Sequence, residues 1–175
     1  MSSQINYCPI CNSEASEYNT YLSSVFVECP SCGRFKKEIF FVGDNSDPTD
    51  NDKLASYLYY NVKLNPPIND DRFFAYIGSK ATFDKTHAEY PWCSHITNDI
   101  VNSWYPKTFS EKVDMFLLGL ASRANFLSEN IIFSEEQLKS ACFVLRNPKG
   151  PMHLMPNIVT DQLQFFLKFL EDQQY

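Results

Sequence analysis

The sequence predicts an α+β protein, in which a small N-terminal ribbon of short antiparallel strands precedes a mainly helical domain. Three observations lead to this prediction. Four cysteines form two C-x-x-C pairs within the first 32 residues, β-type runs flank those pairs, and apolar residues recur at helical spacing after residue 52. We therefore expect a ribbon over 1–43, an acidic linker over 44–52 and a mainly helical domain over 53–175.

The ribbon is predicted from its cysteines, which follow the pattern C-x2-C-x17-C-x2-C at Cys8, Cys11, Cys29 and Cys32. This spacing fits a four-cysteine zinc site, and a proline follows the first cysteine of each pair, which indicates two equivalent knuckles. Four thiolates fill a tetrahedron, so we expect one structural zinc ion. Rubredoxin-like iron and a metal-free set of thiols stay open as alternatives. A thioredoxin-type dithiol would need a βαβ context, which the pattern does not predict.

Strands are predicted at 18–22, 25–28 and 35–42. A basic cluster, Arg34, Lys36 and Lys37 around one aromatic ring, follows the second knuckle and is a candidate for contact with nucleic acid. The alternative, which we favour, is that these cations offset the negative charge of a zinc–thiolate centre and lie on a solvated strand.

The helical domain is predicted from periodicity and from capping residues. Leu54, Ala55, Leu58 and Val62 mark a helix over 52–64, which ends at the prolines of 65–67. Residues 70–77 are a candidate short helix, 80–96 show no period and are assigned as irregular, and 98–105 form another short helix.

Three further helices follow in the C-terminal half. The strongest helical pattern covers 111–125, with Ser110 as its N-cap. Ser134 opens the next helix, with Gln137 in the capping-box position. A last helix begins at Asn157 or Thr160, and a winged hairpin is expected near 147–156.

Two other groups of residues are candidate sites. His87, Cys93 and His95 could hold a second metal ion or form a hydrolase or nuclease site, although a buried thiol beside surface histidines is the simpler interpretation. On the last helix, Phe165 and Phe169 lie one turn apart and about 100° from the main apolar stripe, which makes them a candidate docking surface for a partner, a further domain or a second copy.

Composition excludes several classes of protein. The net charge of −6 argues against broad electrostatic attraction to nucleic acid, and no apolar run approaches the length of a membrane span. Five scattered glycines cannot build a dinucleotide fingerprint or a P-loop. The N-terminus lacks the pattern of a signal peptide, so we expect a cytoplasmic protein whose cysteines are ligands or buried thiols.

Two stretches of this chain resemble those of a known group of proteins. The first contains the two C-P-x-C knuckles, the second of which is followed by glycine and an aromatic residue. The other is the later stretch E-K-x-D-x-x-L-L. The second stretch is formed by Glu111, Lys112, Asp114, Leu117 and Leu118. The chain resembles the N-terminal region of bacterial multidomain proteins in which a zinc ribbon and a winged-helix-like segment precede an effector domain similar to nucleoside deoxyribosyltransferases or TIR domains. The resemblance implies a bacterial defence system. No residues here match the effector, so it implies no enzymatic role.

Together, these observations predict a non-catalytic zinc-ribbon module that contacts a protein partner or a further domain. Binding of nucleic acid through the ribbon and the winged-helix-like segment is the second hypothesis, and a hydrolase or nuclease around His87–His95 is the third.

Overall fold

The structure, a computed structural model, describes residues 6–20, 23–39, 48–123, 132–144 and 158–173. A five-stranded sheet near the N-terminus is followed by a mostly helical region, which confirms the α+β prediction. The strands lie side by side in chain order. They are β1 Glu17–Thr20, β2 Ser24–Cys29, β3 Gly33–Glu38, β4 Phe74–Ile77 and β5 Cys93–Ile96. The helices are α1 Pro48–Leu58, α2 Lys80–Glu89, α3 Asn98–Trp104, α4 Phe109–Arg123, α5 Glu135–Ala141 and α6 Ile158–Asp172.

The first three strands form the antiparallel ribbon that the sequence predicts. β1 pairs with β2 and β2 pairs with β3, so that Cys29 at the end of β2 faces Gly33 at the start of β3. The ribbon does not end the sheet, because β3 also pairs with β4, and β4 with β5, both in parallel. One sheet therefore crosses from the ribbon into the region expected to be helical. The division into domains at 43 and 53 stays a prediction about independent folding.

The parallel half of the sheet corrects two sequence predictions. The helix expected at 70–77 is wrong, since residues Phe74–Ile77 form β4. Residues 80–96 are not irregular, because they contain α2 and β5. β4 is nearly fully buried on both faces, and such strands read as continuous apolar runs without an alternating period. α2 buries one residue, Thr86, so it shows no apolar stripe in the sequence.

The helix starts show one correct and one incorrect prediction. Ser134 caps α5 with a complete capping box, in which the Ser134 side chain accepts the N–H of Gln137 and the Gln137 side chain accepts the N–H of Ser134. α4 begins one residue before Ser110, so Ser110 is not its cap. The Thr108 hydroxyl accepts the N–H of Glu111, whose carboxylate in turn accepts the N–H of Thr108 at 3.1 Å. Thr108 and Glu111 thus form a second capping box.

The first core lies between the sheet and the helices α1 and α3. It contains Phe35 of β3, Ala75 of β4 and Leu58 of α1, all with no exposed surface. The four cysteines of the ribbon belong to the same cluster. On the opposite face of the sheet, α2 packs its Phe83 against Tyr76. The cysteine site is therefore continuous with the main core rather than attached to its edge.

A second core lies among the C-terminal helices, and a π-helix joins it to the first. Helix α1 continues as this π-helix, Tyr59–Leu64, before the chain turns at Asn65. Its Val62 packs in the first core, while its Tyr60 stacks on Phe143 at 5.2 Å between ring centroids in the second. The Tyr60 hydroxyl donates a 2.8 Å hydrogen bond to the carbonyl of Ala141. One short segment thus contacts both cores.

The winged hairpin expected near 147–156 and the loop before α6 lie outside the described residues. Among the helices that are described, none combines the length and the apolar character that a membrane crossing requires.

Candidate metal centre

The first knuckle is a tight turn that carries Cys8 and Cys11. The N–H of Cys8 donates to the carbonyl of Ser13 at 2.8 Å, and the N–H of Asn12 donates to the carbonyl of Cys8 at 3.0 Å. Asn12 has a φ of 64°, a left-handed conformation that asparagine tolerates better than most residues. These bonds reverse the chain so that the two thiols lie on the same side.

The second knuckle connects β2 to β3 and carries Cys29 and Cys32. The sulfur of Cys29 accepts the N–H groups of Ser31 and Cys32, each at 3.4 Å. Gly33 leaves the knuckle with a φ of 76°, and a Cβ at this position would lie 3.0 Å from Cγ1 of Val62. Glycine is required here both for the backbone conformation and for close contact with the π-helix.

The two knuckles bring four sulfur atoms into one buried cluster. All four lie within 4.8 Å of one another, and no cysteine of the set is more than 2 % exposed. Sulfur atoms are 3.4 Å apart between Cys11 and Cys29 and 4.0 Å apart between Cys8 and Cys32. A tetrahedral ion with metal–sulfur bonds of about 2.3 Å separates its sulfurs by about 3.8 Å. The cluster therefore has the dimensions of a four-thiolate metal site.

The electrostatics of the cluster also favour a cation. Hydrogen bonding to Cys11 and Cys29, together with burial, raises the pKa of Cys8 and of Cys32. Hydrogen bonds from Cys29, Cys32 and Cys8 lower the pKa of Cys11. Some of the four groups thus favour the thiol and others the thiolate, because burial disfavours several neighbouring negative charges. A divalent cation at the centre would let all four ionise.

Two serines that the sequence analysis missed connect the knuckles. The Ser13 hydroxyl lies 3.2 Å from the sulfur of Cys11 and 3.0 Å from the hydroxyl of Ser31. Ser31 is fully buried between Cys29 and Cys32. Serines near metal-binding cysteines carry no pattern of their own, so only the folded arrangement shows that they orient the ligands.

Helix α5 contacts the second knuckle directly. The side-chain amide of Gln137 donates to the carbonyl of Pro30 in the second knuckle at 3.0 Å. The same side chain completes the capping box of Ser134. The site is consequently held from the ribbon, from the π-helix and from the C-terminal half of the chain.

The candidate nucleic-acid residues separate onto two faces of β3. Arg34 and Lys36 lie on the face away from the first core, whereas Lys37 lies on the same side as Phe35 and lines a different cavity, of about 240 Å³, with Ile77 and Thr97. Arg34 and Lys36 border a cleft of about 360 Å³, which we name the basic–aromatic cleft. Its lining residues are Phe26, Arg34, Lys36, Arg72, Phe74, Tyr90 and Trp92.

Five of the cleft residues were not predicted from the sequence. Phe26 lies in a predicted strand, Arg72 and Phe74 lie in the segment assigned to a helix, and Tyr90 and Trp92 lie in the segment assigned as irregular. The alternation of Arg34, Phe35 and Lys36 places both cations on one face of a strand and could have indicated the cleft. The other residues that line the cleft are brought there by the pairing of strands from distant segments of the chain.

His87, Cys93 and His95 do not converge on a second metal position. Nδ1 of His87 lies 3.8 Å from the sulfur of Cys93, but Nε2 of His95 is 2.8 Å from the carbonyl of Gly78. Both imidazole rings stack on Phe83, at 5.3 and 4.7 Å between centroids. Among the described residues, the four ribbon cysteines are the one group of His, Cys, Asp or Glu side chains close enough to hold a metal ion.

The remaining candidates lie in or near the second core. Phe165 is 63 % exposed, whereas Phe169 is half-buried, and both rings contact Phe109. The two rings therefore do not form one exposed pair. Cys142 is buried, as expected, and burial raises the pKa of its thiol to about 12.

Comparison of the chain with family models, with curated proteins and with solved structures finds no match. The resemblance to the N-terminal region of bacterial effector proteins stays a prediction that rests on the knuckles and on Glu111–Leu118. Fold and site define the class instead: an α+β protein with four buried cysteines that are close enough together to hold a metal ion.

Proposed function

We propose that this protein is a non-catalytic binding module that folds around one structural zinc ion. The observation that carries the proposal is the burial of four converging sulfurs inside the first core. Four thiolates fill the tetrahedron, so the ion keeps no position for water or substrate. Its role is to hold the sheet on which the other surfaces of the protein are built.

Zinc is favoured over iron by the chemistry of closed structural sites. Sites of four cysteines in two knuckles are common for structural zinc, which needs no redox partner and has no geometric preference of its own. A visible absorption spectrum distinguishes the two ions, because zinc is d¹⁰ and colourless whereas an iron–tetrathiolate centre absorbs visible light.

The test is the metal content of the purified protein. We expect about one equivalent of zinc per chain and no absorption band in the visible range. Cys8→Ser should lose the metal, while Cys142→Ser, which introduces the same change at a buried cysteine of the second core, should keep it. A parent protein without metal, or equal metal content in both variants, would overturn the proposal.

Contact with a protein partner is the second candidate function. It is favoured by two large apolar side chains on the outer side of the second core, Phe165 at 63 % exposure and Leu118 at 70 %. Light scattering of the parent and of Phe165→Ser tests the simplest form, self-association. A parent that is monomeric at high concentration and a variant with unchanged solubility would exclude it.

A further inference from the structure

The basic–aromatic cleft lies outside the cysteine site and the first and second cores, at the edge of the smaller apolar cluster on the other face of the sheet, to which Phe26, Phe74 and Trp92 belong. It opens on the face of the sheet opposite the first core, beside the area that α2 covers. Its lining comes from β2, from β3, from β4 and from the segments that lead into β4 and β5. Seven residues from these five parts of the chain thus form one surface.

Aromatic rings form a connected wall of the cleft. Phe26 contacts Phe74 edge-on at 5.9 Å, Phe74 contacts Tyr90 at 6.1 Å, and Tyr90 contacts Trp92 at 5.9 Å between centroids. Phe74 is buried, whereas Tyr90 remains 40 % exposed. The wall is therefore anchored in the protein at Phe74 and accessible at Tyr90, while its two end rings, Phe26 and Trp92, are half-buried.

The planar guanidinium of Arg72 is held over the Trp92 ring of this wall, and we name the pair the Arg72–Trp92 platform. The guanidinium lies 4.2 Å above the ring centroid of Trp92. Asp70 fixes its orientation through two bonds, from Nε at 3.0 Å and from Nη2 at 2.8 Å, and this pairing lowers the pKa of Asp70 to about 2. The Arg72 side chain is nevertheless 64 % exposed, so the face of the guanidinium turned away from Trp92 is available for stacking.

Two further cations border the same cleft. Lys36 lies between Phe26 and Tyr76 in the strand register. Arg34 lies over the Phe26 ring at 5.4 Å, and it uses Nη1 to bond the carbonyl of Asp71 while Nε lies 3.6 Å from Glu28. A guanidinium carries five N–H donors, so these contacts do not exhaust it. No carboxylate is among the seven lining residues, although Asp70 and Glu28 pair with Arg72 and Arg34 at the border of the cleft.

We propose that the basic–aromatic cleft binds single-stranded nucleic acid. This inference rests on the proposed function of the protein as a binding module. A base stacks on the Arg72–Trp92 platform or on Tyr90, and the phosphates that flank it pair with Lys36 and Arg34. Aromatic and guanidinium planes beside cations are the combination that recognises unpaired bases on a charged backbone.

The geometry favours a single strand over two related ligands. Bases in a duplex are stacked on one another, so their faces cannot reach a side-chain platform. Sites for free mononucleotides usually bind the phosphate with backbone N–H groups at the start of a helix, and none of the seven lining residues lies at a helix start. The net charge of −6 makes long-range attraction weak, so affinity should come from these local contacts.

The first experiment compares two neighbouring lysines on opposite faces of β3. A fluorescein-labelled thymidine or uridine oligomer of ~12 nucleotides is titrated with the full chain, and anisotropy is followed at several salt concentrations. Lys36→Ala should weaken binding and make the slope of log K against log salt shallower by about 0.7, the value for one phosphate contact on a single strand. Lys37→Ala removes the same charge and should leave affinity and slope unchanged. Equal effects of the two variants would overturn the proposal.

The second experiment tests the stacking platform. Arg72→Lys keeps the charge but removes the plane, and Trp92→Leu removes the support beneath it. Each should weaken binding by about 5- to 150-fold, the range found for loss of one stacked base. Trp92 fluorescence should also be quenched on binding, measured in the parent and in Trp104→Phe, which leaves Trp92 as the one remaining tryptophan. An affinity retained in both platform variants would contradict the stacking mechanism.

Two controls separate this inference from the proposed function. A folded, zinc-loaded chain that does not bind the oligomer, or that binds the matching duplex or an acidic peptide better, would overturn the inference and leave the structural zinc module intact. Oligomer binding by a metal-free folded chain would overturn the role of zinc and leave the cleft intact. Melting curves of every variant confirm that a loss of binding is not a loss of folding.

Discussion

The two cores of this protein are built by different physical means. The first core surrounds the four cysteines and is closed mainly by aliphatic side chains, with the rings of Phe35 and Phe73. The second core contains more aromatic rings, and two of its tyrosines donate hydrogen bonds to main-chain carbonyls. In the second core Tyr105 donates to the carbonyl of Phe143 at 3.2 Å, just as Tyr60 does to that of Ala141. A bound cation would stabilise the first core, whereas the second depends on packing. This difference predicts that removal of the metal should unfold the first core and that a packing defect should destabilise the second.

The largest expected effect is loss of the metal. A structural zinc ion contributes about 10–16 kcal/mol in small zinc-binding peptides, which equals or exceeds the total stability of a typical domain. Chelation should therefore unfold the first core, including β4 and β5, and not the ribbon alone. Amide hydrogen exchange with and without chelator checks this. Protection retained in β4 and lost in β2 would show that the ribbon is an independent unit.

A second prediction concerns packing in the second core. Gly119→Ala usually stabilises a helix, but here a Cβ would lie 2.7 Å from Cε1 of Tyr60. That ring cannot move freely, because it stacks on Phe143 and bonds to Ala141. We expect destabilisation by about 1–3 kcal/mol in chemical denaturation, with the zinc content unchanged.

A stability equal to or above that of the parent would show that Tyr60 can shift. The aromatic core would then be less tightly packed than the contacts indicate.

A third prediction compares two possible caps of α4. Thr108→Ala removes the hydroxyl that accepts the N–H of Glu111 and should cost about 1 kcal/mol. Ser110→Ala, which the sequence alone would mark as the damaging change, should be nearly neutral because Ser110 lies inside the helix. The denaturation midpoints of the two variants measure these effects. If Ser110→Ala lowered the midpoint more than Thr108→Ala, Ser110 rather than Thr108 would be the cap of α4.

The smallest predicted effect is a pH dependence at the far end of the sheet. Partial burial alone would raise the pKa of Glu38, but hydrogen bonds from Thr82, from the N–H of Ser79 and from Tyr76 lower it overall. A lowered folded-state pKa means that this contribution to stability is present above the unfolded value, near 4.3, and is lost as the pH falls below it.

Glu38→Gln should therefore lower stability slightly at pH 7 and show a weaker loss than the parent between about pH 5 and pH 3. Melting temperatures at both ends of this range provide the measurement. Parallel curves for parent and variant would assign the acid sensitivity to other groups.

The two regions also differ in how well they can be predicted. The knuckles depend on short spacing, so Cys8, Cys11, Cys29 and Cys32 could be assigned to one site without a fold. The capping box at Ser134 is equally local. Strand β4 could not be recognised, because burial on both faces removes the alternation that marks a strand. The sequence consequently predicts a helix at 70–77, which is wrong.

The sequence by itself determined the features that depend on neighbouring residues, which are the four-cysteine pattern, the antiparallel ribbon and most of the helices. Tertiary structure alone decided that β3 continues into a parallel sheet and that Lys36 and Lys37 face different environments. It also decided that Arg72 and Trp92 line the same cleft as Phe26. The physical reason is that parallel pairing joins segments separated by a crossover helix, and its partners are selected by burial of both sheet faces rather than by any local pattern.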